Sequence, residues 1–264
     1  YTFPHRTFQE YLAACFLTDH GFPRQVAHLL RTDPQRWREA VLLAGAKASR
    51  GSLSNAWYLA EALCPREVLP PSLPMTQGTE EGMWGALLAA QVLLDNLGPW
   101  LNAVDEWDAP KLERIRLWLR AIVERGWLPP VDRWQAGTML ATLGDDRDFD
   151  ALIEIPEGPF WMGDDDDDEA KPRHKVTLPV YMIGKYPVTV GQFRRFVEVS
   201  GYQPRDPDCL RGTANHPVVW VTWHDARAYC QWLTDVWREA GKIGPRDEVR
   251  LPSEAEWEKA ASWT

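Results

Sequence analysis

The sequence predicts an α+β protein in two parts, an all-helical segment over residues 1–148 followed by a mixed strand-and-helix domain over residues 149–264. Three observations carry this. From about Thr7 to Leu143 apolar residues recur at helical spacing. Beyond Gly144-Asp145-Asp146 short apolar runs alternate with Pro and Gly turns, the pattern of strands. Two amphipathic helices and a third helix start then follow those strands.

Bulk properties bound the function. The 264 residues are 45% hydrophobic and 25% charged, enough for about two domains with cores of their own. A net charge of −9 argues against a nucleic-acid partner, which would need clustered Lys and Arg. No apolar run approaches the roughly 20 residues of a membrane span; the longest, around Gly85–Leu94, reads as a buried helix. No charged n-region precedes an apolar stretch, so no signal peptide is expected. Cys15, Cys64, Cys209 and Cys230 lack CxxC or CxH spacing, which speaks against a disulfide scaffold or zinc site and for a reducing cytoplasm. Fifteen Trp fit large cores in both parts and do not by themselves mark a ligand site.

In the first part Phe8, Tyr11, Leu12, Cys15 and Phe16 form one apolar helical stripe. Asp33-Pro34 starts a second helix, with Asp as cap and Pro at the first position, and Trp37, Val41 and Ala44 continue it. Ser54 is placed to cap another, running to Leu63 and ended by Pro65. The stretch from Pro65 to about Glu80, rich in Pro, Ser, Thr and Gly, reads as the best internal linker. Helices over Glu81–Asn96, Pro110–Arg125 and Pro130–Leu143 complete this part, the last stopped by Gly144. Short paired helices point to a bundle or solenoid-like packing.

In the second part Leu152–Ile155, Pro159–Met162 and Val176–Ile183 read as strands, with a turn at Pro156-Glu157-Gly158. Helices follow over about Thr189–Ser200, capped by Thr189 and ended by Gly201, and about His224–Ala240, ended by Gly241. Ser253-Glu254-Ala255-Glu256 has the S-x-x-E form that opens a third.

Four phrases then stand out: Ile155-Pro156-Glu157-Gly158-Pro159-Phe160-Trp161-Met162-Gly163; Pro187-Val188-Thr189 with Phe193 and Phe196; His216-Pro217-Val218-Val219-Trp220-Val221-Thr222-Trp223 with Asp225-Ala226 and Tyr229-Cys230-Gln231-Trp232-Leu233; and Arg250-Leu251-Pro252-Ser253-Glu254-Ala255-Glu256-Trp257-Glu258. In order and spacing they resemble the formylglycine-generating-enzyme (sulfatase-modifying factor) family. The resemblance implies a C-type-lectin-like α+β fold with many ordered loops. It also implies that a complete domain oxidises a cysteine or thiol with copper and dioxygen and carries calcium-binding loops. The family's reactive cysteine pair and closing segments lie downstream of the R-L-P-S-E-A-E-W-E phrase and have no counterpart here. The expectation is therefore an incomplete domain, a scaffold-only fragment with no catalytic, cofactor-binding or metal-binding residue of its own and no oxidase activity. A lectin-like sheet without its closing strands leaves an unpaired edge, so weak stability is expected as well.

The same residues have plainer readings. Pro156 and Gly158 form a turn. Phe193 and Phe196 lie one helical turn apart, and Ala226, Cys230 and Leu233 make a buried stripe. Glu256 and Glu258 are placed to accept backbone amides. Cys209 and Cys230 match neither member of the reactive pair, and a thiol on an apolar stripe behaves as a small hydrophobe. The phrases thus identify a fold rather than a site.

At the other end Phe3-Pro4-His5-Arg6-Thr7-Phe8-Gln9-Glu10-Tyr11-Leu12-Ala13-Ala14 resembles the segment just C-terminal to the core of NACHT-type signalling ATPases. This implies an upstream ATPase module. No G-x-x-x-x-G-K-[ST] loop is present, so this chain is not expected to bind ATP. The alternative is an ordinary amphipathic helix. With this resemblance comes a second functional reading, a lectin-like sensor that binds a protein or peptide ligand and reports to the ATPase.

Asp164 to Glu169 is an acidic run without the ligand spacing of a calcium loop, and reads as a solvated loop between strands. His174, His216 and His224 form no H-E-x-x-H motif, and an orienting hydrogen bond is the expected role of His216. No G-x-S-x-G elbow supports a serine nucleophile.

Overall fold

The computed structural model describes residues 5–67 and 77–262. The chain forms two compact units, Tyr1–Asp145 and Asp146–Thr264. It is helix-rich with a few short strands.

The described elements of the first unit are helices: α1 (Arg6–Asp19), α2 (Arg24–Thr32), α3 (Pro34–Ser49), α4 (Ser54–Leu63), α5 (Gln77–Leu97), α6 (Ala109–Arg125) and α7 (Pro130–Leu143), with a 3-10 turn over Gly98–Ala103. Helix α5 is the axis of the bundle. It packs against α2, α3, α4, α6 and α7, and Met83, Leu87, Leu88, Val92 and Leu93 are fully buried along it. A helix apolar on every side belongs inside, and each Leu removed from water contributes about 2 kcal/mol. Gly85 sets how close α5 comes to α4: a Cβ there would lie 2.2 Å from the Leu63 carbonyl oxygen. Asp33 caps α3 by accepting from the Arg36 amide at 3.0 Å, with Pro34 at the first position.

Three sequence expectations change here. Phe8, Tyr11, Leu12 and Phe16 do lie on one side of α1, but that side faces solvent: Phe8 is 60% and Phe16 61% exposed. Helix α1 packs on α3 and buries Ala14 and Leu17, which lie on the opposite side at 100° per residue. The buried residues of α3 are mostly small, Ala40, Ala44, Gly45 and Ala48 beside Val41, and they serve several neighbours at once, since α3 packs on α2, α4 and α5 as well as α1. Ser54 is the first residue of α4 rather than its cap, because Leu53 holds the cap position without a side-chain bond. The proposed linker from Pro65 to Glu80 is shorter than expected at its far end, since α5 begins at Gln77; residues 68–76 lie outside the described residues.

The second unit opens with β1 (Leu152–Ile155), β2 (Gly158–Met162), β3 (His174–Leu178) and β4 (Tyr181–Gly184). The run expected as one strand over Val176–Ile183 is split at Pro179-Val180. Two antiparallel pairs result: β1 with β4, in which Leu152 faces Gly184 and Ile155 faces Tyr181, and β2 with β3, in which Gly158 faces Leu178 and Met162 faces His174. Helices α8 (Val190–Ser200), α9 (Trp223–Glu239) and α10 (Glu254–Ala261) follow, with a 3-10 turn over Pro207–Leu210. All three α-helices open on a capping box: Thr189 with Gln192, Thr222 with Asp225, and Ser253 with Glu256. Gly201 ends α8 in the left-handed conformation expected of a C-terminal glycine.

The core of this unit is aromatic. Phe193 and Phe196 of α8 and Tyr229, Leu233 and Trp237 of α9 bury one another with Cys209. Phe196 meets Tyr229 edge-on at 5.6 Å and 89°, and Phe193 at 5.4 Å, the arrangement ring quadrupoles favour. Among the described residues no helix is long and apolar enough to cross a membrane.

Candidate functional site

The R-L-P-S-E-A-E-W-E phrase is a clamp that seats α10. Glu256, 8% exposed, accepts from the Arg250 guanidinium at both carboxylate oxygens, one bond at 2.8 Å. It also accepts the Ser253 amide at 2.8 Å and the Ser253 hydroxyl at 2.9 Å. The Arg250 hydrogen bond holds its carboxyl down at about 2, with the Ser253 bonds adding to it against the opposing effect of burial. Tyr181 of β4 donates its hydroxyl to the Glu256 carbonyl.

One turn on, Glu258 and Lys259 reach the first strands. Glu258 accepts from the Gly163 amide at 2.7 Å. Gly163 has φ +86°, and a Cβ there would meet the Ala170 carbonyl at 2.5 Å, so the residue ending the first phrase has no substitute. Lys259, 4% exposed, donates to the carbonyls of Pro156 at 2.7 Å and Gly158 at 3.1 Å. The first and last phrases, about a hundred residues apart, thus meet through two charged side chains and the backbone at the two ends of β2.

The two middle phrases meet as well. The Val190 amide donates to His216 O at 2.8 Å and the Val218 amide to Val188 O at 2.9 Å. Asp225 gathers the loops between them: it accepts from the Thr222 amide (2.8 Å) and hydroxyl (2.6 Å), from the Tyr202 hydroxyl (2.9 Å) and from the Arg205 amide (3.3 Å). Burial alone would raise its carboxyl pKa; these hydrogen bonds more than offset it, and the pKa is lowered. Tyr202 is raised in turn, by burial and by its bond to Asp225.

The four cysteines are free thiols, and Cys64, Cys209 and Cys230 are buried. Burial pushes Cys64 up to about 11 and raises Cys230. Cys209 is raised by burial and by the charges of Asp225 and Asp206. Thiols of this kind stay protonated at neutral pH and do not fit a copper–thiolate pair. Among the described residues no three His, Cys, Asp or Glu come together as metal ligands would. The acidic run Asp164 to Glu169 lies exposed between β2 and β3, with Asp164, Asp165 and Asp167 accepting nearby backbone amides. The histidines make separate contacts: His174 bonds the Pro172 carbonyl at 2.8 Å, His216 is held through its backbone, and His224 sits edge-on to Trp223 at 5.2 Å.

The second unit also has a groove of about 590 Å³ between α9 and residues 248–253. Trp223, Arg227, Gln231, Thr234, Asp235 and Arg238 line its helical wall, with the buried Cys230 at its floor. Sequence reading passed over it because Arg227, Gln231 and Asp235 look like any solvated helix face. Lys259 was missed likewise, a buried cation whose partners among the described residues are two carbonyls distant in sequence.

These clamps fall on the residues that carry the four phrases, and comparison with known proteins agrees. Residues 141–264 match the model of the sulfatase-modifying factor enzyme 1-like domain family. The hercynine oxygenase of Mycolicibacterium smegmatis is 32% identical over 147 residues, covering 42% of this chain and 31% of that protein. The serine/threonine-protein kinase Pkn1 of Chlamydia trachomatis is 37% identical over 131 residues, 42% of this chain and 19% of the kinase. The formylglycine-generating enzyme of Mus musculus is 29% identical over 156 residues, 40% of this chain and 38% of the enzyme. The chain therefore spans between a fifth and two-fifths of the length of these relatives. Within residues 146–264 the phrases are held by caps, ion pairs and core packing, which is why they report likeness to a family before they report chemistry.

Proposed function

We propose that the sulfatase-modifying factor enzyme 1-like domain of this chain is the frame of a C-type-lectin-like oxidase domain. Its chemistry is the oxidation of a cysteine or thiol with copper and dioxygen, in a domain that also binds calcium. Residues 146–264 supply positioning and not reacting groups. The observation that supports this best is the clamp at Glu256, which joins Arg250, Ser253 and, through its carbonyl, Tyr181. Relatives that carry similar residues include a hercynine oxygenase and a formylglycine-generating enzyme. No step is assigned to Cys209 or Cys230, whose thiols are buried and raised. Incubating the chain with copper, dioxygen and a Cys-x-Pro-x-Arg peptide, then reading the peptide by mass spectrometry, is expected to leave the cysteine intact. Formylglycine on the peptide would place reactive groups within these residues and overturn the reading.

The likeness to a protein kinase favours a second reading. There the similar stretch is a minor part of a protein named for another activity. In this reading the domain is a ligand-sensing module, and the helical unit, with its Phe3–Ala14 segment, follows a NACHT-type signalling ATPase and works in the cytoplasm. Its ligand is a protein or peptide. A full-length protein that binds a peptide and leaves its cysteines unoxidised would support this reading over the first.

A further inference from the structure

The exposed face of α1 reads the same from both ends. His5, Phe8, Leu12, Phe16 and Asp19 follow one another at spacings of 3, 4, 4 and 3 residues. At about 100° per residue all five fall within an arc of roughly 80°. All five are exposed, while Ala14 and Leu17 are buried on the opposite side of the helix. Three large apolar side chains therefore lie in a row between an imidazole at one end and a carboxylate at the other. Tyr11, 55% exposed, widens the row. With each side chain about half exposed, the row presents on the order of 400 Å² of apolar surface, a contiguous patch of the size that marks an interaction site.

The polar groups around this face leave both of its ends open. Lys47 of α3 donates to the two Asp19 carboxylate oxygens at 3.1 and 3.3 Å, yet the Asp19 side chain stays 62% exposed, with room for a further donor. Arg6 pairs with Glu10 on another side of the helix. The His5 side chain makes no cap bond, and among the described residues its imidazole has no hydrogen-bond partner. His20 stacks on Phe16 at 4.4 Å. Beside that pair the surface dips into a cavity of about 400 Å³ lined by Ala13, Leu17, Leu29 and Trp37.

We propose that a second copy of this chain covers this face, the two α1 helices packing antiparallel about a two-fold axis at Leu12. The symmetric spacing sets both direction and register. Leu12 meets Leu12, Phe8 meets Phe16 of the second copy, and the His5 N–H donates to Asp19 of the second copy, once at each end. Parallel pairing would instead set the two Asp19 carboxylates against each other. Phe8 also arrives beside the cavity at Phe16, so each copy offers a knob to the hole of the other. A second copy fits better than an unrelated partner because every group in the row finds its complement within the same row. About 400 Å² from each copy falls short of the roughly 800 Å² per partner of a standard complex, so the dimer is weak and concentration-dependent. The proposal assigns no reaction and rests on neither reading of the second unit.

Sedimentation velocity of the whole chain over a concentration series tests it. A monomer–dimer equilibrium with a Kd on the order of 10 μM is expected. Leu12→Glu brings two carboxylates together on the axis and should leave only monomer. His5→Asp sets a carboxylate against Asp19 of the second copy and should weaken the dimer roughly five-fold, while His5→Lys should tighten it by about as much. Both sites are exposed, and circular dichroism checks that each variant keeps its helices. Asp is a favourable residue at the cap position that His5 holds, so association lost in His5→Asp is not lost folding. A chain still monomeric at about 200 μM, a dimer that survives Leu12→Glu, or a dimer on which the two changes at His5 act alike or in the reverse sense would each overturn the proposal.

Discussion

Arg250 and Glu256 form a two-point ion pair across the start of α10, with Arg250 Nη1 at 2.8 Å from Oε2. The pair sits where the same carboxylate also closes a capping box on Ser253, so one side chain fixes both the entry of the chain into the helix and the preceding segment. Glu256→Gln removes the charge and keeps the shape. It should cost the second unit about 1–2 kcal/mol, discounted because Arg250 is half exposed. Urea unfolding followed by Trp fluorescence measures it.

The same pair sets a pH dependence. The Glu256 carboxyl is held at about 2 in the folded chain against an ordinary 4.5. A depressed folded value means that its contribution is fully present above 4.5 and is lost as pH falls toward 2. The unfolding midpoint of the parent chain should therefore fall more steeply over that window than that of the Glu256→Gln variant. Parallel curves would show that Glu256 is not the group responsible.

Asp225 and Tyr202 offer a spectroscopic check. Asp225→Asn removes a charge that raises the phenol, so one tyrosine should titrate at lower pH in the variant, seen as phenolate absorption in the ultraviolet. Stability should fall by roughly 2 kcal/mol, because a carboxylate with four donors is replaced by a group that accepts fewer.

In the first unit Gly85→Ala opposes two effects. Helix propensity favours Ala by about 1 kcal/mol. The new Cβ would lie 2.2 Å from the Leu63 carbonyl and would force α4 and α5 apart. The clash wins, and we expect a net loss of roughly 2–3 kcal/mol, read as a lower thermal midpoint. Tyr11→Ser, on the exposed face of α1, should stay within about 0.5 kcal/mol of the parent.

What the sequence made legible was local. Asp33-Pro34, Thr189 and Ser253 act within three residues of themselves, so cap chemistry places those helix starts. Phe193 with Phe196, and Cys230 with Leu233, show their core role through spacing alone. The face that α1 buries was not legible, because it depends on which side of the helix α3 covers. Nor were the partners of Glu258 and Lys259, which lie 95 to 103 positions away. The groove beside α9 was hidden for a related reason: its two walls, one face of α9 and residues 248–253, come together only in the fold.

The account turns on the thiols of the second unit being packing groups. Mass-resolved alkylation of the native chain at neutral pH tests this directly. Cys209 and Cys230 should stay unlabelled until denaturant unfolds their unit, while half-buried Cys15 labels first. Prompt labelling of Cys209 or Cys230 in the folded chain, or its suppression by added copper, would contradict the account.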